Sequence, residues 1–239
     1  MVYDKINFKH LKNNDNNTLI LFLHGWGCDM KSFKFFEGFF SSKYSVLNCD
    51  LYGFGKSELS SSEFGVYDYA KNIFLFLKSL NYENVIIICH SFGFRIATIL
   101  STCFDIKIIK MIVTGGAGLK PRYNILVKLK ILIYRLFVKK IKIKKHIGSE
   151  DYRNSSNNMK KVLVKVVNQH LDFLVKKIDC STLLVWGKDD NATPLYMARK
   201  INKLIRKSKL KLINGSHFAF NENKFLFKEL CYNFLFDNE

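Results

Sequence analysis

The segment Val85-Ile86-Ile87-Ile88-Cys89-His90-Ser91-Phe92-Gly93 governs the reading of the whole chain. An unbroken apolar run suits a strand buried on both faces, and this one leads straight into a serine with small residues two positions to either side. A turn that tight strains the backbone at the serine, so bulky side chains at the flanking positions would strike neighbouring main chain. In return the hydroxyl stands clear of the sheet, at the first turn of the next helix, where partial positive charge favours a developing anion. The usual pattern is G-x-S-x-G. Here Cys89 takes the place of the first glycine, and Phe94 stands where a further small residue is common. Such a match is weak alone and gains weight only from its surroundings.

Outward from that segment, short apolar runs alternate with longer amphipathic ones, the pattern of strands and helices in a mostly parallel α/β sheet. Strands are expected at Thr18 to Leu23, Tyr44 to Asn48, Asn84 to Cys89, Ile108 to Val113, Thr182 to Trp186 and Leu210 to Ile213. Helical spacing covers Val66 to Leu80, Phe92 to Thr102, Pro194 to Arg206 and Asn223 to Phe236. Residues 119–177 break the alternation: they show no strand pattern and mix helical apolar spacing with dense positive charge, including Lys128, Lys130, Arg135, Lys139, Lys140, Lys142, Lys144 and Lys145. They read as a helical cap inserted into a core made of residues 1–118 and 178–239. At 239 residues and 48% hydrophobic composition, one continuous core suffices.

Three further loops carry chemistry. His24-Gly25-Trp26-Gly27 follows the first long strand, and its turn can offer the Trp26 N–H toward Ser91. With the N–H of Phe92, that would make an oxyanion hole. After the strand ending at Trp186 come Asp189 and Asp190, then Pro194, suited to a helix start. The acid belongs in this loop because the earlier Thr114-Gly115-Gly116-Ala117-Gly118 loop has no carboxylate. Asp190 is preferred and Asp189 is the alternative. Last, Asn214-Gly215-Ser216-His217-Phe218 places a histidine able to reach back to both. His24 is expected to shape its turn, and His90 fills the variable position of the serine turn.

Together HGWG, DLYGFGKS, CHSFG, WGKDDNATP and NGSHF resemble the loops of the α/β-hydrolase superfamily, in its chain order of Ser, Asp, His. The resemblance implies an eight-stranded sheet with a helical cap after the sixth strand. It further implies Ser91 as nucleophile, His217 as base and Asp190 as the orienting acid, cleaving a carboxylic ester or thioester without metal or organic cofactor. Carbon-carbon bond hydrolysis by the same triad and a non-catalytic binding scaffold are the alternatives. HGWG is also similar to the oxyanion loop of pimeloyl carrier-protein methyl esterases, which adds a carrier-linked acyl methyl ester, and an acidic acyl carrier protein as partner, to the candidates.

A formal net charge of +18 would attract an acidic partner, yet the abundance of Lys, Asn, Ile and Phe together also suits simple composition bias. No nucleic-acid-binding module is recognisable. Membrane association through the cap is weighed and set below an ordinary lid over the pocket. The first residues lack an apolar block of signal-peptide length, and six cysteines show no C-x-x-C pair, so a soluble cytoplasmic protein with free thiols is expected.

Overall fold

The computed structural model describes residues 5–59, 61–122 and 150–236. Seven strands form one sheet: β1 (Phe8–Leu11), β2 (Thr18–Leu23), β3 (Ser45–Cys49), β4 (Asn84–His90), β5 (Ile108–Thr114), β6 (Ser181–Gly187) and β7 (Ser208–Ile213). Their spatial order is β1-β3-β2-β4-β5-β6-β7, with β1 antiparallel to β3 and every other neighbouring pair parallel. Parallel neighbours need crossover connections, and helices supply them.

Core forms on both faces of the sheet. Along β2, Leu19, Leu21 and Leu23 join one cluster while Ile20 and Phe22 join the other, the two-residue period of an extended chain. The first cluster is covered by α2 (Val66–Leu80), α3 (Phe92–Cys103) and α7 (Leu195–Leu204). The second is covered by α1 (Lys34–Ser41), α8 (Ala219–Glu222) and α9 (Lys224–Phe236). Local chemistry sets the ends of α2: the Asp68 carboxylate accepts from the Gly65 N–H at 2.7 Å, and Asn81 closes the helix at φ 54°.

Between β5 and β6 the described residues hold α4 (Glu150–Asn154), α5 (Asn157–Asn168) and α6 (Asp172–Val175), and no strand. Helix α5 buries Met159, Val162, Leu163 and Val166 at helical spacing. The basic residues Lys128 to Lys145 lie outside the described residues. The mostly parallel sheet flanked by helices agrees with the α/β fold that the resemblance implied; the described residues hold seven of its strands, and the helical segment follows the fifth of these seven. Strand β1 and helix α1 had no counterpart in the sequence reading. No described helix is long and apolar enough to cross a membrane.

Candidate active site

Ser91 sits between β4 and α3 at φ 47°, a left-handed value that a non-glycine residue adopts only under constraint. Its N–H donates to the Thr114 carbonyl at 3.0 Å, and its own carbonyl accepts from Phe94 and Ala117, each at 3.1 Å. These bonds lock the turn to the end of β5. At Gly93 a Cβ would lie 2.2 Å from the Leu23 carbonyl oxygen, so α3 packs on β2 only with glycine there. The two departures in the motif are both accommodated. Cys89 is fully buried, paired with Leu23 and Val113 of the adjoining strands, and burial pushes its thiol well above the ordinary range, so it acts as a small apolar filler. Phe94 is fully buried as well. A Cβ on Gly116 would come within 2.9 Å of its ring, so the glycine provides the room that the aromatic occupies.

The HGWG turn passes directly over this site. A Cβ on Gly25 would lie 3.4 Å from Cβ of Ser91 and 2.8 Å from the His90 ring. His24 is buried and bridges two loops: Nδ1 donates to the Gly25 carbonyl at 2.7 Å, and Nε2 accepts from the Leu51 N–H at 2.9 Å. Both ring nitrogens are therefore committed to structure, as expected. The Trp26 ring stands edge-on to Phe54 and Phe92, at centroid distances of 4.9 and 5.3 Å. Beyond the turn, the buried Asp50 accepts from the Met30 and Lys56 N–H groups at 2.8 Å each and from the Asn7 amide at 2.7 Å. Burial opposes its ionisation, but these hydrogen bonds outweigh that and hold the carboxyl below its ordinary range.

Of the two neighbouring carboxylates, Asp190 meets the histidine: its Oδ2 lies 2.9 Å from His217 Nδ1. Asp189 is exposed. The Asp190 side chain is itself fully buried, which disfavours charge, yet hydrogen bonds from His217 and Thr193 more than offset this and hold the carboxyl below the ordinary range. Thr193 contributes its N–H to Oδ1 and its hydroxyl to Oδ2, each at 2.8 Å, while Ala192 N–H reaches Oδ1 at 2.9 Å. Thr193 went unremarked in the sequence, although its position three residues after an aspartate at a helix approach is a capping signal.

His90 is the other residue that sequence reasoning missed. It is fully buried, and its Nδ1 pairs with the Thr114 carbonyl at 3.0 Å, while Nε2 has no hydrogen-bond partner among the described residues. Burial, reinforced by the charge of nearby His217, lowers its pKa to about 3, so the ring is neutral at neutral and mildly acidic pH. Beside Trp26, Phe54 and Phe218 opens a cleft of about 490 Å³, whose other side is Asp151, Asn154, Ser155, Ser156 and Met159 from α4, α5 and the link between them. Ser91 and His217 do not themselves line this cleft, but Trp26 and Phe218, which do, belong to the HGWG turn and to the loop of His217.

A parallel sheet with these loops at its carboxyl ends defines an α/β-hydrolase architecture. The chain belongs to the alpha/beta hydrolase family, whose sequence pattern matches residues 20–228, and that membership carries a general hydrolase function. It is similar to an uncharacterized protein, Rv2715, of Mycobacterium tuberculosis, with 21% identity covering 90% of this chain and 74% of the relative. Among solved structures, the MGS-M2 alpha/beta hydrolase enzyme from a Medee basin deep-sea metagenome superposes with a TM-score of 0.78 at 17% identity, covering 98% of this chain and 95% of that one. A thermophilic esterase from Thermogutta terrifontis gives 0.75 at 14% identity, covering 96% and 92%.

Proposed function

We propose that the protein cleaves a carboxylic ester or thioester through a Ser91-His217-Asp190 triad and an acyl-enzyme intermediate. The contact between His217 Nδ1 and Asp190 Oδ2 at 2.9 Å carries the reading. With the Nδ1 proton engaged by the carboxylate, Nε2 is left as the acceptor for the Ser91 proton, and the charged imidazole that forms is stabilised by Asp190. Ser91 then attacks the substrate carbonyl, and the N–H groups of Phe92 and Trp26 receive the oxyanion. His217 returns the proton to the leaving alcohol or thiol. Water, activated by the same nitrogen, releases the acid and restores Ser91.

On this reading residues 119–177 cap a core of residues 1–118 and 178–239. The cleft joins the apolar Trp26, Phe54, Met159 and Phe218 to the polar Asp151, Asn154 and Ser155, which suits an acyl group with an apolar stem and a polar end. Hydrolysis of a graded series of p-nitrophenyl esters by Ser91→Ala tests the triad. Turnover should fall about 10⁴-fold or more. Near-normal turnover by the folded variant would refute it.

A further inference from the structure

Helix α9 is apolar on the wrong side as well as the right one. It buries Phe227, Cys231 and Leu235, a single stripe at four-residue spacing. Yet Phe225 is 65% exposed, Leu226 42% and Tyr232 38%. A helix apolar all round is normally buried all round. Alongside it, α1 adds Phe35, which is 41% exposed, and the half-buried Phe39.

These rings form a continuous seam between the two helices. Phe35 meets Phe225 edge-on at 5.4 Å, Phe39 meets Tyr232 at 6.0 Å, and Tyr232 meets Phe236 at 4.6 Å. A lysine lies over each section: Lys224 over Phe35, Lys228 over Phe39 and Lys43 over Phe236, each with Nζ 4.8 Å from the ring centroid. The seam is also nearly free of opposing charge. Glu229 is the one acidic residue of α9, and Glu37, the one in α1, is buried and paired with Lys9 at 2.6 Å.

We propose that this seam docks on the surface of an anionic phospholipid bilayer. Aromatic rings favour the boundary between headgroups and acyl chains, and lysine stems can run along them while the ammonium groups rise to the phosphates. Each lysine at such a surface contributes about fivefold to partitioning. The geometry disfavours the other occupants. A second copy would bring the same lysines and its own formal charge of +18 into contact. Nucleic-acid bases need open ring faces to stack upon, whereas here lysines already cover three of the rings. This inference concerns the face covered by α1 and α9 and is independent of the role given to Ser91.

The test is sedimentation of the full chain with phosphatidylcholine vesicles prepared with and without phosphatidylglycerol, at low and high salt. Binding should require phosphatidylglycerol and fade as salt rises. The double variant Phe225→Ser/Tyr232→Ser should weaken partitioning about tenfold or more, and Lys224→Glu/Lys228→Glu should do the same, both staying folded with melting temperatures within about 5 °C of the parent's. Lys71→Glu/Lys78→Glu on α2, across the sheet, removes as much positive charge and should leave binding within about threefold of the parent. Absence of vesicle binding, equal binding to neutral vesicles, or equal loss in the α2 variant would overturn the proposal. So would a finding that the seam variants abolish self-association or RNA binding while vesicle binding persists.

Discussion

The imidazoles of His90 and His217 pack against each other with ring centroids 4.6 Å apart and planes at 50°. A proton on His90 Nε2 would point into a buried site with no acceptor among the described residues, next to a second imidazole that becomes cationic during the proposed reaction. His90 therefore packs against the His217 ring as a neutral imidazole.

That arrangement makes stability acid-sensitive in a defined range. The unfolded chain takes up a proton at His90 near the ordinary value of about 6.5, whereas the folded chain does so only at about 3. Between those values the unfolded state binds more protons, so stability falls with falling pH, by up to about 1.4 kcal/mol per pH unit. His90→Asn retains a nitrogen for the Thr114 carbonyl but has no ionisable ring. Urea denaturation at pH 7, 6 and 5 should show a shallower decline for this variant than for the parent. Parallel declines would contradict the assignment of a buried neutral imidazole.

The carboxylate offers a second, separable prediction. Asp190→Asn should cost about 10⁴-fold in turnover of a p-nitrophenyl ester, while Asp189→Asn should stay within about threefold. Thr193→Val removes the hydroxyl that donates to Asp190 Oδ2 at 2.8 Å and should raise the carboxyl toward its ordinary value. A depressed carboxyl stabilises the fold above its unfolded pKa, and that contribution is lost as pH falls through the folded value. The variant should therefore be about 1–2 kcal/mol less stable at pH 7, with the gap narrowing below about pH 4. An equal loss at both pH values would show that Thr193 acts through packing alone.

Much of this was legible because a parallel sheet delivers its chemistry to one edge. The runs Leu19–Leu23 and Val85–Cys89 are apolar throughout since both their faces are covered, and the loops following them carry the HGWG turn and Ser91. Strand β1 was not legible: Phe8–Leu11 lies at the sheet edge with two residues exposed, so FKHL shows no burial pattern to read. Helix α1 hid for a related reason, because KFFEGFFS has apolar residues on its exposed as well as its buried side. The choice between Asp189 and Asp190 rested on a one-residue register that only the loop's hydrogen bonds resolve. His90 was unreadable in principle, since the position before an elbow serine acquires its role from loops distant in sequence.

Arg95 ties the helical segment beside the cleft to the sheet core. Arg95 of α3 is 7% exposed, and its Nη1 donates to the carbonyls of Val166 at 3.0 Å and Gln169 at 2.7 Å. Those carbonyls belong to the last turn of α5 and to its C-cap, where intrahelical donors run out and positive charge is favoured. Burial lowers the guanidinium to about 10, still far above neutrality, so the strap stays charged. Gln169 completes the tie by accepting the Val66 N–H through Oε1 at 2.8 Å, which joins the end of α5 to the start of α2. Arg95→Met keeps the apolar stem but removes the Arg95 donor from the Gln169 carbonyl and leaves the Val166 carbonyl with the Gln169 N–H at 3.2 Å, a loss of about 1–3 kcal/mol. Because Met159 of α5 lines the cleft, loosening this strap should raise KM for p-nitrophenyl esters more than it lowers kcat. Limited proteolysis with mass-spectrometric mapping should also find new cleavage between α4 and α6, while the sheet core stays protected. If cleavage instead began in α2 or α3, Arg95 would be supporting the core and not the helical segment.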